Sequence, residues 1–263
     1  MSTSKDGALL TTIRDLARRR GRERRELALA EGVRLVEEAL AAAIPLRGVA
    51  VSSALEGTTR GKALKLALAG RGIRMVEVPP AELEGLADTE HPQGVVAVIE
   101  PRVWSLADLG VGRGSVVLVL DAVQDPGNVG TLLRTALGLG AAGVVALKGT
   151  AELTNPKVLR GSMGAAFRLP AVATDAGALL GWAAEREVEL WVAAADGVPV
   201  GAGGRRATRP PIALVLGNEG AGVGGALANA ARRRVAVPLA PEAESLNVAV
   251  AAGILLYEVT RDA

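Results

Sequence analysis

The chain has 263 residues, enough for one large or two small domains, and its 49% hydrophobic content is sufficient for a proper core. The formal net charge is only +2, with no cysteine, one histidine, three Trp, one Tyr and one Phe. That excludes disulfides, thiol nucleophiles and cysteine-ligated zinc, argues against a histidine metal cluster or a Ser-His-Asp triad, and disfavours RNA modules that stack bases on aromatic platforms.

Residues 8–30 read as an Arg-rich helix interrupted at Gly21. Arg14, Arg18, Arg19, Arg20, Arg22, Arg24 and Arg25 crowd this stretch against Asp15 and Glu23. Such a cluster either engages RNA phosphates or is a solvated helix face, and charge alone does not choose. Residues 31–43 form a clear helical stretch. Strands are expected at 46–52, 73–78 and 94–99, separated by helices at 62–69 and 80–87. The alternation predicts a small α/β domain with crossover connections. His91 precedes the third of these strands and reads as a turn residue. Residues 101–114, with Gly110, Gly112 and Gly114, read as a linker.

A second alternation begins at Ser115. Strands are expected at 116–120, 143–147, 169–172, 189–194, 212–216 and 235–238. Helices are expected at 129–140, 155–166, 176–187, 222–231 and 245–260. Asn155 and Pro156 are an N-cap followed by proline at the first helical position, and Ser245 reads as the N-cap of the last helix. Residues 196–211 read as a Gly-, Arg- and Pro-rich loop. Apolar strands between helices predict a mostly parallel sheet covered on both faces. The polar N-terminus has no apolar segment after it. The longest apolar runs, 136–147 and 248–257, are too short to span a bilayer, so a cytoplasmic location is expected.

Two glycine patterns carry no nucleotide site. Gly138, Gly140 and Gly143 match G-x-G-x-x-G, but they end a helix and lead into a strand, the reverse of a dinucleotide-binding turn. Gly57 to Ala63 imitates a phosphate-binding loop one residue short, with alanine in place of the magnesium-binding hydroxyl.

Three other segments carry chemistry. Asp125-Pro126-Gly127-Asn128 is a turn at the carboxyl end of the 116–120 strand, where parallel sheets bind ligands. Arg134 follows in N-x-G-x-x-x-R, and Gly130 and Thr131 stand four and three residues before it on the same helix side. Gly217-Asn218-Glu219-Gly220-Ala221-Gly222 follows a buried strand, where glycine permits close backbone approach. Pro238 and Ser245-Leu246-Asn247-Val248 then lead into a helix apolar on all sides.

Together, N-x-G-x-x-x-R, G-N-E-G-x-G and P-x-x-x-x-x-x-S-L-N-V resemble the motifs of the SpoU/TrmH-type RNA ribose 2′-O-methyltransferases. Residues 155–165 also look like that family's segment after the second strand. The resemblance implies an α/β catalytic domain at 115–263, with a deep trefoil knot. Knots are very rare in proteins, and this one rests on the motifs alone. The resemblance also implies S-adenosylmethionine as cofactor, held by Leu216, Gly217, Val237, Leu239 and Leu246. Arg134 would be the catalytic arginine, acting as general base or as a cation stabilising the developing alkoxide. Asn128 would orient the ribose or Arg134, with Glu219, Ser245 and Asn247 fixing the arrangement. No metal is needed.

Residues 1–100 more weakly resemble small ribosomal RNA-binding proteins, which implies an RNA substrate-binding domain acting by charge and shape. Its RNA contacts would include Arg18, Arg19, Arg22 and Arg24, with Lys157 and Arg160 as phosphate contacts in the catalytic domain. Ribosomal RNA is expected ahead of tRNA. A homodimer is expected because the all-apolar last helix needs more cover than one sheet face offers. The alternatives are a tRNA ribose methyltransferase or a non-catalytic RNA-binding protein of the same fold.

Overall fold

The run Val116-Val117-Leu118-Val119-Leu120 is buried at every position, as a strand covered on both sheet faces must be. It is central to one of two sheets in the computed structural model, which describes residues 2–200, 210–218 and 220–261. The chain divides into two units, Met1–Arg102 with Thr154–Phe167, and Val103–Leu153 with Arg168–Ala263.

The first unit contains α1 (Ser2–Leu16), α2 (Arg19–Arg25), β1 (Ala28–Glu31), α3 (Val33–Ala41), β2 (Leu46–Val51), α4 (Thr59–Gly70), β3 (Met75–Glu77), α5 (Pro80–Glu84) and β4 (Val95–Ile99). Its sheet runs β1-β4-β2-β3, with β4 antiparallel to both neighbours and β2 parallel to β3. Alternation along β4 splits the core. Val96 and Val98 pack with Ile13 and Leu16 of α1, whereas Val95, Ala97 and Ile99 pack with Val36 of α3 and Leu64 of α4.

Three expectations are corrected here. The first helix does not continue to residue 30, because Ala28 to Glu31 pair with β4. Leu-Ala-Leu-Ala carries a helix preference that strand pairing overrides. Thr154–Phe167 joins this unit rather than the second, because Leu159 of α7 (Pro156–Ser162) and Phe167 are buried in the core that contains α3. α7 also stops before residue 166, where Met163 takes a left-handed conformation at its C-cap.

The second unit contains β5 (Val116–Leu120), α6 (Pro126–Gly138), β6 (Gly143–Leu147), β7 (Ala171–Thr174), α8 (Ala176–Glu185), β8 (Glu189–Pro199), β9 (Ile212–Leu216), α9 (Gly225–Ala230), β10 (Arg233–Ala236) and α10 (Val248–Thr260). Its six strands are all parallel, in the order β10-β8-β9-β5-β6-β7. Leu179 and Trp182 of α8 and Leu227 of α9 cover the face carrying Val117, Val119 and Val215. α6 packs on β6, and α10 packs on β5, β9 and α6. β8 runs five residues beyond the expected 194, pairing Val198 with Val235 after a register shift in β10. Gly197 allows this, since a Cβ there would lie 2.5 Å from the Val235 carbonyl carbon. No helix among the described residues is long and apolar enough to cross a membrane.

Candidate functional site

The loops after β5 and β9 leave neighbouring central strands at their carboxyl ends, where parallel sheets bind ligands. Side-chain amides and carboxylates tie them together. The Asp121 N–H donates to the Leu216 carbonyl at 2.8 Å, and its Oδ2 accepts from the Gly224 N–H at 2.7 Å. Asn218 Nδ2 donates across to the Ala122 carbonyl at 3.0 Å. Asn218 Oδ1 accepts from the Gly220 and Ala221 N–H groups at 2.9 and 3.0 Å. Its backbone pairs with Gly222 in both directions. Gly217 is pressed against this turn: a Cβ there would lie 2.2 Å from the Gly222 carbonyl carbon. Asn218 and Asp121 are structural members of the site that motif reading did not single out. The polar residue in G-N-E-G and the aspartate closing an apolar strand were the available signals.

α6 starts earlier than expected. Asp125 Oδ1 accepts from the Asn128 N–H at 2.7 Å as the N-cap, and Pro126 opens the helix. Asn128 therefore stands in the first turn with its side chain released from capping. Its Oδ1 accepts from Asn247 Nδ2 at 3.0 Å, joining residues 119 positions apart. Asn247 is the N-cap of α10, with Oδ1 accepting from the Ala249 and Val250 N–H groups at 2.9 and 3.4 Å. This corrects the cap assigned to Ser245, which is exposed two residues earlier. Asn and Ser are comparable caps, so local preference could not separate them.

A cavity of about 180 Å³ lies beside this cap, lined by Val237, Leu239, Ser245 and Leu246 with Ala195 and Leu255. Three of the five expected cofactor residues share this wall. Leu216 and Gly217 are not part of it. Leu216 is buried at the end of β9, and Gly217 braces the neighbouring loop. Glu219 lies outside the described residues. Arg134 is exposed on α6 and makes no hydrogen bond or ion pair with a described residue. Among the described residues no group of three or more His, Cys, Asp or Glu could hold a metal ion.

The basic residues of the first unit differ from one another. Arg18, Arg19 and Arg24 are exposed, with Arg19 paired to Glu23 at 2.7 Å and Arg24 to Asp15 at 2.7 Å. Arg25 also pairs with Asp15, at 2.5 Å. The hydrogen bonds from Arg25 first, and then Arg24, hold the Asp15 carboxyl below the usual carboxylate range. Arg22 is corrected: it is buried, and its Nη1 donates to the Leu16 and Ala17 carbonyls at 2.9 and 3.1 Å. It closes the C-terminus of α1 and presents no free cation to RNA. Lys157 is exposed in the first turn of α7. Arg160 is paired with Glu31 at 3.3 Å and Asp88 at 2.8 Å.

Comparison with known proteins adds to this geometry. The model of the SpoU rRNA Methylase family matches residues 115–257, and that of an MRM3-like substrate binding domain matches residues 10–97. The chain is 37% identical over 189 residues to the 23S rRNA (guanosine(2553)-2′-O)-methyltransferase RlmP of Bacillus subtilis, covering 72% of this chain and 73% of that protein. It is 35% identical over 193 residues to a 23S rRNA (adenosine(1067)-2′-O)-methyltransferase of Streptomyces laurentii, covering 73% and 71%. The crystal structure of the SpoU methyltransferase AviRb from Streptomyces viridochromogenes, in complex with the cofactor AdoMet, superposes with a TM-score of 0.83 at 28% identity, covering 96% of this chain and 97% of that one.

Proposed function

We propose, for a chain that belongs to the SpoU rRNA Methylase family, that it transfers a methyl group from S-adenosylmethionine to a ribose 2′-hydroxyl of ribosomal RNA. The observation that carries this reading is the Asn247–Asn128 hydrogen bond, which joins the first and third motifs beside an open, mainly apolar pocket. The lining suits an adenosine seated partly at the surface: aliphatic side chains offer its base apolar walls, and the Ser245 hydroxyl and backbone groups offer polar partners. Bound there, S-adenosylmethionine supplies an electrophilic methyl group.

The protein must hold the ribose oxygen in line with that methyl and manage one proton. Asn128, fixed by Asn247, orients the ribose. Guanidinium groups keep their charge at neutral pH. Arg134 is therefore assigned the part of a cation that stabilises negative charge developing on the 2′-oxygen, with the departing proton passing to water. Gly217 and Asn218 keep the β9 loop close to the β5 loop, so that both motifs face one ligand.

Val250, Ile254 and Tyr257 are 51%, 40% and 53% exposed on α10. Their spacing puts them on one stripe, which supports a homodimer through this helix. The family's trefoil knot is proposed for the second unit on the same motifs. A cytoplasmic location is proposed on the same reading.

Thermal shift tests the cofactor. S-adenosylmethionine and S-adenosylhomocysteine should raise the melting temperature and NAD should not. Mapping 2′-O-methyl positions in ribosomal RNA from a strain lacking the gene and from its parent tests the substrate. Identical maps would overturn it.

A further inference from the structure

The first unit carries two cavities that share Arg34 and Gln93 in their walls. One, of about 290 Å³, has Leu35 and Met163 as apolar lining and is bounded by Glu31, His91 and Arg160. The other, of about 380 Å³, lies between Arg34 and the Thr58–Arg60 segment.

The polar atoms of this groove are uneven. Glu31 is buried, and its carboxylate is saturated. It accepts from the Asp88 N–H at 2.8 Å, the Thr89 N–H at 3.2 Å, the Thr89 hydroxyl and Arg160 Nη1 at 3.3 Å. Gln93 Oε1 accepts from the Val33 N–H at 2.9 Å, at the start of α3. That bond leaves its amide nitrogen as a donor with no partner among the described residues. Arg34 and His91 likewise make no hydrogen bond or ion pair with a described residue. The groove therefore offers unused donors over an apolar floor. That suits a ligand rich in acceptors with one flat apolar face.

We infer that this groove holds one unpaired nucleotide of the RNA substrate. Its base lies on Leu35 and Met163 beneath the Arg34 guanidinium, its acceptors meet Gln93 Nε2, and its backbone continues past Arg60. Unpaired bases stack on guanidinium and imidazole planes as well as on Phe, Tyr and Trp, so the scarcity of aromatic side chains does not exclude stacking here. The volume of the first cavity is at the small end of ligand pockets, which begin near about 300 Å³, and suits one nucleotide but no duplex. The substrate identity rests on the RNA methyltransferase reading; the single-strand preference does not.

The test uses the full chain and fluorescence anisotropy with a short labelled single-stranded RNA and with its duplex. Arg34→Ala should weaken single-strand binding about tenfold or more, the range of one lost base stack, and Gln93→Glu about tenfold, because it removes the donor to the base acceptors. Glutamate keeps the acceptor for Val33 N–H, so an unchanged melting temperature separates lost binding from lost folding. Arg34→Lys should not restore binding, because it keeps the charge and loses the plane. Duplex binding by these variants should fall no further than it does in a variant that loses one exposed charge elsewhere. The exposed Arg186→Ala in the second unit serves as the charge control. Unchanged single-strand affinity, full rescue by lysine, or equal losses on duplex would each overturn the inference. Strong displacement by a free mononucleotide would also overturn it, pointing to a small-molecule site. Labelled methyl transfer to ribosomal RNA by the wild-type chain is a separate readout, so its failure counts against the proposed reaction and leaves the binding results standing.

Discussion

Replacement of Asn247 tests the junction of the motifs. The side chain does two separable things: Oδ1 caps α10, and Nδ2 holds Asn128. Asn247→Ala loses both. The cap contributes about 1 kcal/mol, and an exposed neutral hydrogen bond about 0.5 kcal/mol, the low end of its range. The total of about 1.5 kcal/mol corresponds to a fall of about 3–6 °C in Tm for a chain of this size. Asn247→Ser retains a cap but cannot reach Asn128, so its fall should be only about 1–2 °C. Asn128→Ala and Asn247→Ala should couple by about 0.5 kcal/mol in a double-mutant cycle. Methyl transfer at saturating RNA should fall by a similar factor in the serine and alanine variants, because both release Asn128. Differential scanning fluorimetry and single-turnover transfer read the two effects separately. Wild-type turnover in Asn247→Ser, or strictly additive effects in the cycle, would refute the reasoning.

Three further outcomes are expected. Gly217→Ala must displace the Gly222 backbone, at a cost of about 1–3 kcal/mol, and should weaken S-adenosylmethionine binding in calorimetry; unchanged affinity would remove this loop from the cofactor site. Asp15→Asn releases Arg24 and Arg25, and should tighten RNA binding and steepen its dependence on salt by about one counterion. In the wild type, Asp15 stays ionised because its folded value is lowered. Its contribution to stability is complete above the unfolded carboxylate value and is lost as pH falls through the lowered folded one. A melting-temperature series across the acid range should therefore show a decline in the wild type that is reduced in Asp15→Asn. Ile254→Glu places a charge in the exposed stripe of α10 and should convert a dimer to a monomer by light scattering; a wild-type chain already monomeric at micromolar concentration would dismiss the interface.

The parallel sheet was legible because β5 and β9 are unbroken apolar runs of five, the pattern that burial on both faces demands. β1 was not, because Leu27 to Ala30 favour helix locally and only β4 makes them a strand. Neither was the placement of 154–167, since nothing local in Leu159 or Phe167 states which core receives them. In the site, residue types and spacing marked Asn128 and Asn247, but their hydrogen bond spans 119 positions. The arginine cluster shows the limit of composition. Arg22 and Arg24 are two residues apart, yet one folds back onto carbonyls and the other is exposed beside Asp15.

The most direct test is transfer of labelled methyl from S-adenosylmethionine to unmodified ribosomal RNA by the purified chain, followed by alkaline hydrolysis. Methylation of a ribose 2′-oxygen removes the nucleophile that cleaves the next phosphodiester, so the label should appear in alkali-resistant dinucleotides. Arg134→Ala should abolish the signal with S-adenosylmethionine affinity nearly unchanged, and Arg134→Lys should retain part of it if charge alone stabilises the alkoxide. Label recovered in mononucleotides carrying a methylated base, or full transfer by Arg134→Ala, would contradict the account.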